Sequence, residues 1–141
     1  MAISPNAFSN VIDCDIHPTV PSLDALLPYM NEHWKDTIVQ RGVHELETIS
    51  YPKNAPLTVR PDWRLEKGVP AANVDLIKRQ ALDPFGTSIA VLNCLYGVQL
   101  LMSEDMASAF ASAVNDWIKA EFLDKEPRPV SYTHLRAHET V

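Results

Sequence analysis

Two short apolar runs most constrain the fold, because each has the composition of a β-strand and is followed by helical segments. The first, VIDCDI at residues 11–16, stops before Pro18, and the second is SIAVLNCL at residues 88–95. The second run is apolar on both faces, as expected of a parallel strand that is covered on both sides. The order strand, helices, strand, helix predicts an α/β protein with a parallel sheet or barrel.

Helical segments are predicted after each run. Ser22 is a predicted N-cap for a helix over residues 22–30, and a second helix ends at Gly42. Residues 72–82 have helical spacing. Ser103 caps a long helix. The apolar stripe of that last helix is predicted to be buried and consists of Met106, Phe110, Ala113, Val114, Trp117, Ile118 and Phe122.

Composition argues against several classes of function. The chain has 141 residues, enough for one domain with a core, and its net charge of -6 argues against nucleic acid or an anionic membrane as a partner. No apolar run approaches the roughly 20 residues of a membrane span, and the N-terminus lacks the pattern of a secretory signal. Cys14 and Cys94 lie in strand-like runs, which predicts reduced, buried thiols in a cytoplasmic protein.

The first run carries a candidate metal motif. Asp13, Asp15 and His17 share one face of the predicted strand, and the intervening apolar side chains are expected to face helices. The acidic face would then point into a barrel, with its last members at the rim where barrel enzymes place their active sites. Carboxylate oxygen and imidazole nitrogen suit zinc or manganese, although this short spacing also occurs among ordinary polar residues that end a strand.

A wider resemblance is carried by three segments, in this order: VIDCDIHP, SLDALLPYMNEHWKDTIVQRG and LDPFGTSIAVLNCLYGV. They resemble the amidohydrolase-related metal-dependent hydrolases, a branch that also contains aminocarboxymuconate-semialdehyde decarboxylase and the resorcylate-type decarboxylases. The resemblance runs from about residue 10 to residue 128. It implies the N-terminal part of a (β/α)₈ TIM barrel with one divalent metal, truncated after about two strands.

The resemblance also implies roles for individual residues. Asp15 and His17 match the first-strand ligand pair in its acid-x-His form, which leaves the choice between zinc and manganese open. In the family, two later histidines and a last-strand aspartate complete the site, and the aspartate handles protons. This chain has no residues at those positions, so its catalytic acid or base is unknown.

A second candidate metal motif stands in SYTHLRAHETV, where His134 and His138 would share a helix face. However, VSYTHLRAHET, eleven consecutive residues, resembles one translated reading frame of the transposase adapter used in sequencing libraries. We therefore interpret residues 130–141 as derived from adapter DNA and residues 1–129 as an N-terminal barrel fragment. The competing hypothesis is a small binding module with a metal-binding tail.

Candidates for substrate binding come from two places. Asn93 and Tyr96 leave the second strand at its C-terminal end, beside the first strand in a right-handed connection. Arg60, Trp63 and Arg64 lie in a long Pro-rich excursion over residues 43–70 and suit an acidic or aromatic substrate, although a packed loop with solvated arginines is the simpler interpretation.

Other polar residues are assigned structural roles. We expect His33 to lie on a helix surface, His44 in a solvated loop, and Asp13 to be a buried hydrogen-bonding residue.

The expected function of the parent protein is metal-dependent hydrolysis of a C–N or C–O bond in a small carboxylated or aromatic substrate. Decarboxylation in the same metal cage is the alternative, and a non-catalytic binding module is the alternative from another class. The expected partner is a small-molecule substrate, and a homo-oligomeric parent is left open. The 141-residue chain itself is expected to be inactive and to aggregate, because two ligands hold a metal poorly and unpaired strands leave exposed edges.

Overall fold

A computed structural model describes residues 10–46, 51 and 55–131. Within these residues, three parallel strands form one sheet in the order β1-β2-β3: β1 is Val11–Ile16, β2 is Thr87–Leu92 and β3 is Pro129–Ser131. The first two strands lie where they were predicted, although β2 ends at Leu92 and not at Leu95. The third is an addition to the two-strand expectation, and the predicted domain boundary after residue 129 falls inside it.

The helix between the first two strands begins and ends as its sequence predicts. In α1, Glu32–Arg41, the Asn31 side chain accepts a hydrogen bond from the backbone N–H of Trp34. Gly42 ends the helix with a φ of 63°, a conformation that glycine adopts without steric cost.

The next helix changes from α-helical to π-helical and back before β2. It consists of α2 (Val74–Ile77), a π-helical segment (Lys78–Leu82) and α3 (Asp83–Phe85). Pro84 has no N–H to bond the carbonyl group four residues earlier, which interrupts the regular α-helical ladder at this point. The π-helical segment contacts β2.

The predicted helix over residues 22–30 is wrong. The structure has two 3-10 turns there, Leu23–Ala25 and Leu27–Tyr29, and the Ser22 side chain makes no capping bond. Pro28 again lacks the N–H that a continuous α-helix would need, so the chain closes shorter turns on either side of Leu26.

The long helix forms the largest part of the core. In α4, Glu104–Ile118, the Ser103 hydroxyl accepts a hydrogen bond of 3.3 Å from the backbone N–H of Met106. A π-helical segment, Lys119–Leu123, extends the helix to β3. The structure buries the whole predicted stripe, Met106, Phe110, Ala113, Val114, Trp117, Ile118 and Phe122.

One face of the sheet is buried and the other is open. Ala90 and Leu92 of β2 belong to the core, whereas the alternate face carries an exposed apolar residue on each strand: Ile12 (57% exposed), Ile89 (42%) and Val130 (48%). Ile12 pairs in register with Ile89. The expectation that the second strand is covered on both sides is therefore wrong, because the described helices cover one side.

The same packing corrects the prediction for the cysteines. Cys94 is buried, and burial raises the pKa of its thiol to about 12. Cys14 is exposed, because it follows Ile12 on the uncovered face of β1. The prediction that the apolar residues of β1 face helices and its acidic residues face a barrel interior is therefore wrong, since Asp13 pairs with the buried Ala90 on the helix-covered side.

Among the described residues, no helix has the length and apolar character needed to cross a bilayer.

Candidate functional site

The candidate metal pair lies where two parallel strands end side by side. Asp15 is the penultimate residue of β1, His17 follows that strand directly, and Asn93 follows β2. The backbone N–H of Asn93 bonds the carbonyl oxygen of Ile16 at 2.8 Å, which fixes the two strand ends to each other. The pair therefore stands on a rigid part of the fold.

A hydrogen bond to the main chain orients the His17 ring. Its Nδ1 lies 2.8 Å from the carbonyl oxygen of Asn93. A carbonyl oxygen only accepts, so Nδ1–H is the donor, and in the neutral ring the lone pair is left on Nε2. Metal-binding histidines are commonly oriented by a hydrogen bond of this kind.

The free nitrogen of His17 faces a carboxylate oxygen. Nε2 lies 3.4 Å from Oδ2 of Asp15, which is longer than the roughly 2.7–3.2 Å of an N–H···O hydrogen bond. Two ligands on one tetrahedral zinc ion, with bonds of roughly 2.0–2.1 Å, stand about 3.4 Å apart. The separation of the two atoms therefore matches the spacing of two ligands on a tetrahedral zinc ion.

A complete metal cage is not present among the described residues, where no group of three or more His, Cys, Asp or Glu side chains could hold an ion. Asp13, the third acidic residue of the motif, accepts a hydrogen bond of 3.1 Å from the backbone N–H of Asp15. It makes the predicted type of contact, although it is half-buried rather than buried.

The pair lines one end of a groove with a volume of about 300 Å³. β1, the excursion and the helix before β2 all contribute to its wall. The lining residues are Asp13, Asp15, Ile16, His17, Tyr51, Thr58, Arg60, Trp63, Ala81 and Phe85. The structure thus brings Arg60 and Trp63, two of the predicted substrate-binding residues, to the predicted metal ligands.

Comparison with known proteins does not assign the chain to a family. No model of a protein family matches the chain, and no curated protein matches it either. The likeness to amidohydrolase-related enzymes stays a prediction from the three sequence segments.

The Arg60 guanidinium lies between aromatic rings and an acidic neighbour. Its central carbon is 5.8 Å from the ring centroid of Trp63 and 5.6 Å from that of Phe85, within the range of cation–π attraction. Its Nε and Nη2 bond the two carboxylate oxygens of Asp62 at 3.0 and 2.6 Å. These bonds lower the pKa of the Asp62 carboxyl. Arg60 is therefore held in place by Asp62. Both side chains are exposed to solvent.

Trp63 forms a buried part of the groove wall, whereas Arg64 stabilises the loop that contains Val59. The Trp63 side chain is 7% exposed, so only its edge meets the groove. The Nε of Arg64 donates to the carbonyl oxygen of Val59 at 3.0 Å, which holds the excursion together and matches the packed-loop interpretation for this residue.

The other two predicted substrate residues do not line this groove. Asn93 contributes its carbonyl oxygen to His17, a main-chain contact that any residue type could make. Tyr96 is 2% exposed, and burial raises the pKa of its hydroxyl to about 12. The prediction placed Asn93 correctly at the strand end, whereas Tyr96 lies four residues beyond the end of β2. Strand position does not show which groups meet a cavity.

Two groove residues escaped the sequence analysis. Tyr51 lies far from β1 in sequence, and Phe85 lies at the end of the helix before β2. A weak signal existed in each case, since both are aromatic residues beside a turn, but nothing in the spacing connects them with Asp15.

The remaining histidines lie away from the groove. His33 is exposed on α1 with its ring edge-on to Trp34 at 5.0 Å, and His44 is exposed in the loop after that helix, as predicted. His134 and His138 fall outside the described residues.

Proposed function

We propose that this chain carries part of the active site of a metal-dependent enzyme, with Asp15 and His17 as ligands of one zinc or manganese ion. The observation that supports this most directly is the orientation of His17, whose Nδ1 is bonded to Asn93 while Nε2 faces the Asp15 carboxylate at 3.4 Å. A bound ion would supply Lewis-acid polarisation of a substrate oxygen or of water.

The groove suggests the substrate class. Arg60 offers two donors to an acidic group, and the Trp63 and Phe85 rings form apolar walls. The proposed reaction is hydrolysis of a C–N or C–O bond in a small carboxylated or aromatic compound. Decarboxylation is the second candidate, because the same arginine would hold a substrate carboxylate beside the ion.

The open sheet face supports a barrel as the parent fold. All three strands are parallel and adjacent in chain order, and the uncovered face of the first two carries Ile12 and Ile89. The inner face of a (β/α)₈ barrel is filled by branched apolar side chains of this kind. In such a barrel Asp15 and His17 would hold the ion from the end of β1, because Asp13 and Asp15 line a groove on the helix-covered side and not the interior face. A nucleotide-binding sheet could show the same strand order, but HPTVPS follows β1 where that fold has a glycine-rich loop. We propose residues 1–129 as the N-terminal part of such a barrel, working in the cytoplasm, where free thiols such as Cys14 persist.

Zinc titration of the metal-free chain tests the ligand pair. We expect one weak site by isothermal titration calorimetry, because only two ligands are present, and we expect His17→Ala or Asp15→Asn to remove measurable binding. His33→Ala is the matched control, because that histidine is exposed and lies outside the groove.

The same titration separates the two metal hypotheses. If zinc binding survives His17→Ala but disappears in the double variant His134→Ala, His138→Ala, the proposed site fails and the tail module is supported. For a complete barrel, release of CO₂ from a carboxylated substrate would distinguish decarboxylation from hydrolysis.

A further inference from the structure

The pairing of β1 with β2 is irregular just before the end of β1. Asp13 pairs with Ala90 and Ile16 pairs with Leu92, so three steps along β1 match two steps along β2. An extra residue of this kind is a β-bulge, and bulges occur often beside active sites, where they redirect side chains. The bulge lies within residues 14–15 and therefore includes one of the two proposed metal ligands.

The bulge decides which residues lie side by side beyond the two strands. Ile16 and Leu92 are a register pair and both are buried, so the next residues, His17 and Asn93, are level with each other. The His17 Nδ1 accordingly lies 2.8 Å from the Asn93 carbonyl oxygen. Without the extra residue, His17 would be level with Cys94, and Ile16 would turn to the opposite face of the sheet.

The Asp13 side chain makes the hydrogen bond that spans this irregularity. Its Oδ1 accepts from the backbone N–H of Asp15 at 3.1 Å. The extra residue of a bulge is left out of the hydrogen-bonded ladder, and a short acidic side chain two residues earlier can bond the N–H that is left over. Asp13 therefore stabilises the bulge and fixes the backbone of Asp15.

We propose that Asp13 is a positioning residue for the metal pair, because its bond to Asp15 maintains the bulge that brings His17 level with Asn93. The Asp13 carboxylate would act through the main chain and would not contact the ion. A third ligand would need the negative charge of this residue, whereas a positioning residue needs only an acceptor oxygen. The inference rests on the proposed function where it treats Asp15 and His17 as ligands, but the effect of Asp13 on strand register needs no metal.

Two substitutions of Asp13 in the full 141-residue chain test the proposal by zinc calorimetry. Asp13→Asn removes the charge and keeps an acceptor oxygen, so zinc binding should be retained. Asp13→Val suits a β-strand but has no acceptor, so zinc affinity should fall about tenfold or more, as when a residue that orients a metal ligand is lost. Asp36→Val is the matched control, because it removes an exposed carboxylate on α1, away from the groove.

Strand register in the metal-free protein gives a second measurement, by NMR. Cross-strand NOEs between Ile16 and Leu92 should persist in Asp13→Asn, whereas in Asp13→Val contacts between Ile16 and Asn93 should replace them. Wild type alone offers a third measurement, a scalar coupling across the hydrogen bond from the Asp15 amide nitrogen to the Asp13 carboxyl carbon.

Absence of this coupling in wild type, or an unchanged register in Asp13→Val, would overturn the proposal. Loss of zinc binding in Asp13→Asn with the register intact would also overturn it, because Asp13 would then be a direct ligand. If wild type binds no zinc while the register depends on Asp13 as expected, only the proposed metal site fails. Zinc binding that depends on His17 but is equal in both Asp13 variants would defeat the positioning role alone.

Discussion

Glu126→Gln is expected to destabilise the fold by about 2–3 kcal/mol. Glu126 is 6% exposed, and its carboxylate accepts bonds from Arg128 at 2.7 and 3.2 Å and pairs with Lys78 at 3.2 Å. These partners, the Arg128 bonds first, lower the pKa of Glu126 from 4.5 to about 2. A shift of that size corresponds to roughly 3 kcal/mol, reduced somewhat because both bases are partly exposed.

Glu126 connects two parts of the fold, so its replacement is expected to weaken the contact between them. Arg128 also donates to Asp83 at 2.9 Å, and its carbonyl oxygen accepts from the backbone N–H of Ala90 at 3.0 Å. The carboxylate therefore joins the helix before β2 to the chain that enters β3. Glutamine keeps the shape but leaves Lys78 without this counter-charge and leaves Arg128 with Asp83 as its carboxylate partner.

The sign of the pH dependence follows from the lowered pKa. The contribution of Glu126 is fully present above pH 4.5, its unfolded value, and is lost as the pH falls towards about 2. The stability difference between wild type and Glu126→Gln, measured by urea unfolding, should shrink over that interval. Glu32→Gln is the control, because Glu32 pairs with Lys35 on an exposed helix surface and should cost under about 0.5 kcal/mol. Equal costs for the two variants, or a difference that does not change with pH, would contradict this account.

The parts of the fold that could be predicted are those with local signals. β1 alternates along the strand, Asn31 and Gly42 mark the ends of α1, and Ser103 precedes a long apolar stripe. Each signal depends on residues within one or two turns, so no knowledge of tertiary packing is needed. β3 was missed because it has only three residues, beginning with a proline, and because the sequence analysis assigned the last two of them to adapter DNA.

The same distinction between local signals and tertiary packing applies to the residues of the candidate site. Asp15 and His17 were found because side chains two apart share a strand face. Tyr51 and Phe85 were not found, since only tertiary packing brings them to that pair. The exposure of Cys14 was missed for a related reason, because alternation shows that a strand has two faces but not which face the helices cover.

The double variant Ile12→Thr, Ile89→Thr is expected to keep the chain monomeric where wild type self-associates. The two isoleucines pair in register on the open face, 57% and 42% exposed, and Val130 continues the apolar row on β3. Contiguous apolar surface on a sheet with unpaired outer strands promotes association. Threonine retains β-branching, so the strands should form as before. Sedimentation velocity at several protein concentrations measures the change.

Val39→Thr is the control for general surface polarity, because Val39 is an exposed apolar residue on α1 rather than on the sheet. It should leave the sedimentation behaviour of wild type unchanged. Self-association that persists in the double variant, or that Val39→Thr also removes, would show that the sheet face is not its cause.

The same substitutions should have the opposite effect if further strands close the sheet into the proposed barrel. Ile12 and Ile89 would then lie in the barrel interior, where a threonine hydroxyl replaces a packed apolar group. Ile89→Thr should cost about 2 kcal/mol or more in such a protein, from lost packing and a buried hydroxyl. A substitution that improves the behaviour of this chain and destabilises a longer one would identify the open face as a barrel interior. Improvement in both would instead indicate a sheet whose face stays in water, and the barrel proposal would fall.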